Sequence, residues 1–451
     1  MRPWIATLTL LLAAAALAPE ARAQRLTLDE AFRRADHDAY ANRGAAAAAS
    51  ARAGQAISAL RGVLPTLRLE TGYTRTTDPL TAFGLRLEQR AVTAQDFDPT
   101  RLNDPAAIGN YGAAVVVEQP LINVDAFAGR AAATRARDAA QASARWTRET
   151  SRLDVVRAYY GAVLTAERVT TLDTAARAAH AHVAQAESML RNGVVTRSDV
   201  LLASVRAGDV DAQLAGARAD AALARQRLAL VLGTPADTAF TLPERLPADA
   251  RITGLADTAQ QAAPDSTRAD VEAASLALDA ARANRERARA AFLPRLNSFA
   301  RLSWNSPARP VGGTHAWTAG LMLSWTPFAG GGQIGDARTA AADEAQARAN
   351  AEAASAQAAL DLAQSSSALR VALVRLDIAS RAVDQAAEAH RIVDRTYVGG
   401  LATITELLDA QAAETQSRLA LSDARYQTIL AIAARRQALG LALTALDALD
   451  R

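Results

Sequence analysis

The sequence predicts a mainly α protein in which long antiparallel helices alternate with two β-hairpins. Three observations predict it: a breaker-free stretch of sixty-three residues, an internal repeat, and four short stretches whose polarity alternates. The long stretch is Asp336 to Val398, free of Pro and Gly and rich in Ala, Arg, Glu and Gln. Helix-favouring residues without either breaker make one continuous α-helix. At about 1.5 Å per residue it would be on the order of 95 Å long, more than a compact domain needs.

Leu362, Leu369, Leu376 and Val383 stand seven apart along it, with Tyr397 in the same phase. That is the seam of a left-handed supercoil, which expects a neighbouring helix. Gly399 and Gly400 can take the left-handed backbone that ends a helix, and Thr403 and Glu406 have the spacing of a capping box that starts the next. Leu408, Leu419, Tyr426 and Ile429 on this return helix, spaced by combinations of three and four, would fix its register.

The repeat appears at an offset of 207 residues: Pro120 matches Pro327, Gly193 matches Gly400, Thr196 matches Thr403, Asp199 matches Glu406, and Leu232 with Gly233 matches Leu439 with Gly440. Upstream, Pro65 answers to Pro294 at an offset of 229, so the first copy carries 22 additional residues. They fall within Asp78 to Asn110, whose Pro79, Pro99 and Pro105 predict a long loop. Residues 234–267, with four prolines, predict a linker between a first repeat over 24–233 and a second over 268–451.

Four stretches switch to a period of two. Leu67, Leu69 and Tyr73 alternate with Arg68, Glu70 and Thr74; Tyr111, Ala113, Val115 and Val117 alternate with Gly112, Ala114 and Glu118. In the second copy Leu296, Leu302 and Trp304 share a phase, and Trp317, Ala319, Leu321, Leu323 and Trp325 alternate with small or polar residues. The expected hairpins span 66–119 and 295–326, each followed by a long helix, the second over 336–398. Strands of about ten residues, apolar on one face and with aromatics near their ends, are what an outer-membrane barrel requires. Four strands cannot close a barrel, so a barrel would require an oligomer.

Residues 1–23 read as an export signal: Arg2, an apolar run from Ile5 to Ala18, and Ala21, Arg22 and Ala23 as a cleavage site, with the mature chain beginning near Gln24. No later stretch reaches eighteen apolar residues without a charge, which predicts no transmembrane helix. Without Cys there is no disulfide, thiolate chemistry or lipid-bearing cysteine. All fifty basic residues are Arg, and a net charge of +3 on 451 residues is no footprint for nucleic acid.

Gly330, Gly332 and Gly335 spell a dinucleotide-binding motif, but the alternating strand before them is unlike the buried strand that motif needs. They are expected to serve a strand-to-helix bend. His180 and His182 point to different faces of one helix, and His390 sits in the heptad phase as a polar seam residue. No spacing joins an acid, a base and a nucleophile, so neither an enzyme nor a cofactor or metal site is expected.

Signal, helix, hairpin, long helix, glycine turn and return helix, all given twice, resemble the outer-membrane efflux protein family, the TolC-like exit ducts. The resemblance is carried by "LTLDEAFRRA" at Leu26 to Ala35, "VEQPLIN" at Val117 to Asn123, "LGTP" at Leu232 to Pro235, "RNGVVTRSDVLLA" at Arg191 to Ala203 and "YVGGLATITELLDAQ" at Tyr397 to Gln411. It implies a homotrimer in which four strands per chain build a 12-stranded outer-membrane β-barrel and the long helices a periplasmic α-barrel. It also implies coupling through a periplasmic adaptor, or membrane fusion protein, to an inner-membrane RND or ABC-type pump.

The resemblance assigns adaptor contact to the tip turns at 192–198 and 399–403, here Gly193, Val194, Thr196 and Asp199 with Gly399, Gly400, Leu401, Thr403 and Glu406. It places a pore constriction two to three helical turns before Gly400, where Glu388, Arg391 and Asp394 stand and where the family often has aspartates. The competing interpretation is a soluble periplasmic coiled-coil scaffold with small sheets and no transport activity.

Overall fold

Two capping boxes and a row of left-handed glycines divide the chain into its helices. The computed structural model describes residues 26–264, 268–310 and 312–450. The segment expected to be an export signal lies outside them.

Helix α1 (Leu28–Asp38) is capped by Thr27 and followed by α2 (Tyr40–Ser58). Strand β1 (Thr66–Thr76) leads through α3 (Pro79–Glu88) and α4 (Pro99–Asn103) to β2 (Ile108–Ile122). The long helix α5 (Val124–Arg191) and its return α6 (Arg197–Val231) complete the first half. After α7 (Asp249–Gln261) and α8 (Ala269–Ala290) come β3 (Arg295–Ser306), β4 (Thr314–Ser324), α9 (Gly332–Val398) and α10 (Ile404–Ala438).

The chain divides into two compact units. The first comprises residues 26–46, 144–264 with 268–269, and 356–450 of the described chain. Its core gathers Leu28 and Phe32 of α1, Val155 to Leu164 of α5, Leu228 of α6, Ile252 of α7, Leu369 and Leu376 of α9, and Ile429 and Ile432 of α10. Leu443, Leu446 and Leu449, in a short 3-10 segment, close it.

Polar ties set the register of these Ala-rich helices. Asp450 accepts hydrogen bonds from the hydroxyls of Tyr159 (2.8 Å) and Tyr160 (3.0 Å) and from the Leu28 amide (3.0 Å). Burial, and then the Asp450 charge, push the Tyr160 phenol well above its ordinary value. Arg152 of α5 grips Asp36 of α1 at 2.6 Å, and Arg425 of α10 reaches Asp249 of α7 at 2.6 Å. Such bonds have a fixed geometry that interchangeable alanines lack.

The second unit comprises residues 47–143, 270–310 and 312–355 of the described chain and holds the sheet. All neighbours are antiparallel in the order β1-β2-β3-β4. Residues directly opposite share a face, so one row runs Leu69, Val115, Leu302, Trp317 and the next Leu67, Val117, Ala300, Ala319. The other face carries Arg68, Glu70, Glu118 and Arg301, joined by Arg68 to Glu118 (2.7 Å) and Arg301 to Glu70 (2.9 Å).

Several expected boundaries are corrected. The segment 78–110 is not a bare loop: Asp78 and Asp98 cap α3 and α4, and Pro79 and Pro99 take the first helical position, where a missing N–H costs nothing. It is also anchored, since Gln89 donates to Gly109 O and Asn110 Oδ1, Asn110 donates to Asn305 Oδ1, and Arg90 donates to His315 O.

The linker 234–267 contains α7, whose Ile252, Ala256 and Ala259 bury one face at helical spacing. Strand β2 continues past 119 to Ile122, shifting register between Pro120 and Ile122 because proline has no N–H for the ladder. Trp325 lies just beyond β4, donating to Phe292 O at 3.0 Å. Helix α9 starts at Gly332 instead of Asp336; Gly330 and Gly331, at φ 59 and 82, make the bend, while Gly335 lies inside the helix.

Asp450→Ala should lower stability by about 2–3 kcal/mol, because it leaves buried donors unpaired. Tyr160→Phe, which removes one donor only, should cost about 1 kcal/mol. Thermal melting of the purified protein would order the two.

Candidate functional site

At the first tip the last turn of α5 closes on itself. Gly193, at φ 75, donates to Leu190 O (3.0 Å), and Val194 donates to Met189 O (2.9 Å). The pair satisfies carbonyls that a helix end would leave bare, and the left-handed backbone suits glycine. Thr196 then caps α6. Its hydroxyl accepts from the Asp199 amide at 3.3 Å, while the Asp199 carboxylate accepts from the Thr196 amide at 2.8 Å.

The second tip repeats the pattern bond for bond. Gly400, at φ 71, donates to Tyr397 O (3.0 Å), and Leu401 donates to Thr396 O (2.9 Å). Thr403 accepts from the Glu406 amide at 3.2 Å and its own amide donates to Glu406 Oε2 at 2.7 Å. The Thr403 amide holds the Glu406 carboxyl below the usual carboxylate range. Gly399 is the last residue before the left-handed position, its amide donating to Arg395 O at 3.2 Å.

The two tips share a small core. Ala203 of α6, Tyr397 of α9, and Ile404, Leu407 and Leu408 of α10 are buried together, with Val183 and Met189 of α5 against them. All four long helices are thus fastened near their ends. Outside this core Val194 is 60% and Leu401 86% exposed, so each turn offers one apolar side chain to solvent.

The three residues expected at a constriction behave differently from one another. Glu388 and Arg391 form a two-pronged ion pair on the exposed face of α9. The guanidinium of Arg391 holds the Glu388 carboxyl low, and the carboxylate in turn raises Arg391. Asp394 is half-buried, and its charge acts on His182 of α5. The structure therefore separates Asp394 from the other two.

Sequence reasoning missed what lies beside it. His180 and His182 do point apart: His180 pairs with Asp211 at 2.9 Å, whereas His182 is buried against His390, ring centroids 6.2 Å apart. The signal was present, since His182 falls in the phase of buried Leu172, Ala175, Ala179 and Ala186. Among the described residues no cluster of three or more His, Cys, Asp or Glu could hold a metal ion, and no helix is long and apolar enough to cross a membrane.

The outer membrane efflux protein family matches residues 41–234 and 265–441, well over half of the chain. The chain belongs to that family. It is an outer-membrane protein extending into the periplasm.

Solved structures of the same fold include the outer membrane protein VceC of Vibrio cholerae, 22% identical with a TM-score of 0.75 over 92% of this chain and 96% of that one. The CmeC outer membrane channel of Campylobacter jejuni is 16% identical, TM-score 0.74, over 92% and 85%. The MtrE outer membrane channel of Neisseria gonorrhoeae, in its open state, is 19% identical, TM-score 0.71, over 92% and 89%. No curated protein sequence matches.

In this family member the tip turns depend on local chemistry that single substitutions can remove. Thr403→Ala should cost about 1 kcal/mol of cap. Gly400→Val should cost about 1–2 kcal/mol through a side chain in left-handed backbone. Both should accelerate limited proteolysis between residues 396 and 406, with Gly193→Val doing the same near 193.

Proposed function

We propose that the protein is the passive outer-membrane duct of a tripartite efflux or type I secretion system. Three copies would form a trimer, which meets a periplasmic adaptor at its helical tips and through it an inner-membrane pump. The observation that carries the reading is the sheet: one apolar face, one charged face, and two outer strands paired on a single side only.

On its apolar face Leu69 is 73% and Trp317 76% exposed in the single chain. Water penalises such a surface, and a bilayer does not. The opposite face, with its Arg and Glu pairs, suits a water-filled interior. The free edges of β1 and β4 demand partners in hydrocarbon, and pairing β1 of one copy with β4 of the next supplies them while closing twelve strands into a ring.

A second feature supports the trimer. Between α9 and α10 lies a groove of about 940 Å³, lined by Val371, Ile378, Ala379, Ala424 and Leu430. Val371 and Ile378 are half-exposed in the single chain and would be covered by a helix of a neighbouring copy.

Adaptor contact is assigned to Gly193, Val194, Thr196, Asp199, Gly399, Gly400, Leu401, Thr403 and Glu406. In this set the glycines and the capping pairs shape the turns, and Val194 and Leu401 are the side chains left to touch a partner. For the constriction, the Glu388 and Arg391 pair offers both signs at one level, so it would hinder charged solutes less than a ring of unpaired acids. The proposal includes no catalytic step; the energy for transport comes from the pump.

Cell fractionation followed by mass determination in mild detergent should find a trimer in the outer membrane; a soluble monomer in the periplasm would favour the scaffold interpretation instead. Val194→Asp with Leu401→Asp should abolish efflux and adaptor co-purification while the trimer persists in the membrane. Undiminished efflux would remove the tips from the contact.

A further inference from the structure

The helices that end at the two tips enclose polar groups that the packing does not satisfy. His182 of α5 is 8% exposed, and neither ring nitrogen is within good hydrogen-bond geometry of a partner; the Gln185 side chain, one turn on, is the one neighbour placed to favour the protonated ring by a hydrogen bond. His390 of α9 lies edge-on to it, at an interplanar angle of 77° and a centroid separation of 6.2 Å, and its Nε2 is also buried and unpaired. The hydroxyl of Tyr397, two turns further along α9, is a third unpaired buried group.

Charged groups from each neighbouring helix bear on the pair. From α10, Glu414 sits 2.6 Å from His390 Nδ1 and also accepts from Arg418. From α9, the Asp394 charge favours the protonated form of His182. From α6, Asp211 is engaged by His180, and the Asp199 charge acts on the Tyr397 hydroxyl. None of these accepts a hydrogen bond from His182.

The consequence follows from the hydrogen-bond inventory. A neutral imidazole carries one donor and one acceptor, and a protonated one two donors with a full charge. Burying the neutral ring unpaired is already costly, and burying the charged ring costs more than the Gln185 side chain and the Asp394 charge return to it. We propose that His182 makes the packing of α5 against α9 near the tips pH-dependent: the neutral ring allows the helices to close, and protonating it drives them apart. Separation also gives the Tyr397 hydroxyl and both imidazoles access to water, which lowers its cost.

Burial holds His182 below its ordinary value of 6.5, with the adjacent His390 acting the same way and Asp394 and the Gln185 side chain opposing them. The separated state, with a solvated ring, therefore binds the proton more readily than the packed state. Packing is at full strength above the ordinary value and weakens as pH falls from there toward the lower value of the packed ring. On the proposed function this loosening widens the periplasmic end of the duct, but the linkage itself does not rest on that reading.

Hydrogen exchange of the full-length protein in detergent, at about pH 7.5 and about pH 5.5 on either side of the imidazole range, tests it, with rates divided by the intrinsic rate at each pH. In the unmodified protein, protection over residues 176–191 and 386–398 should fall severalfold in acid, while residues 153–164 around Tyr159 keep theirs. In His182→Phe, which retains a ring and loses the titration, the acid-induced fall should vanish. If residues 153–164 lose protection in that variant at both pH values, His182→Gln replaces it under the same criterion.

Either an unmodified protein whose tip ignores acid, or a variant whose tip loosens as much as the original, would overturn the proposal. Planar-bilayer conductance across the same pH range separates it from the proposed function. Tip loosening without a change in conductance would leave the pH linkage standing and count against the tip as the controlled end of a duct.

Discussion

A strand edge carries a row of N–H and C=O groups, and the hydrocarbon of a bilayer has nothing to offer them. Everything unusual about the sheet follows from that constraint. A soluble four-stranded sheet would cover its apolar face with a helix and leave charged residues along its edges. Here the apolar row from Leu69 to Trp317 is open, and the ion pairs of Arg68, Glu70, Glu118 and Arg301 lie on the opposite face. That inversion makes sense for a wall between lipid and water, and it leaves only further copies of the same wall to satisfy the edges.

Much of this was legible because it is periodic. The period-two phases at Leu67, Val115, Leu302 and Trp317 turn out to be rows on one face, and the heptad of Leu369, Leu376 and Tyr397 is the buried seam of α9. Short elements held by capping were less visible. Pro79 and Pro99 have two uses, marking loops and opening helices, and only the preceding Asp78 and Asp98 distinguish them. Helix α7 was hidden for a similar reason: its buried face is just Ile252, Ala256 and Ala259, too small a hydrophobic signal to stand out among four prolines.

At the tips the division is different. Left-handed glycines and capping boxes are local, so Gly193, Thr196, Gly400 and Thr403 announce their conformation by spacing alone. The neighbourhood of Asp394 depends on how α5 and α9 are rotated about their axes, which a single chain pattern cannot specify for a pair of helices. Hence the sequence places Glu388, Arg391 and Asp394 on one helix, and only the structure separates the exposed pair from the acid whose charge acts on His182.

Alanine explains why so few polar groups have so much to decide. Seams of Ala let helix axes approach closely, but one Ala packs much like the next, so a slip along the helix loses little. Asp450 with Tyr159 and Tyr160, Arg152 with Asp36, and Arg425 with Asp249 supply contacts that a slip would break. Near the tips no such tie joins His182 to α9. The packing of α5 and α9 there rests on the small core of Ala203, Tyr397, Ile404, Leu407 and Leu408, beside two imidazoles with unpaired nitrogens. A helix bundle meant to be rigid would have filled that position with leucine. A bundle that must hold closed and still part can use a weak, polar seam at one end, because each unsatisfied group lowers the free energy needed to separate the helices.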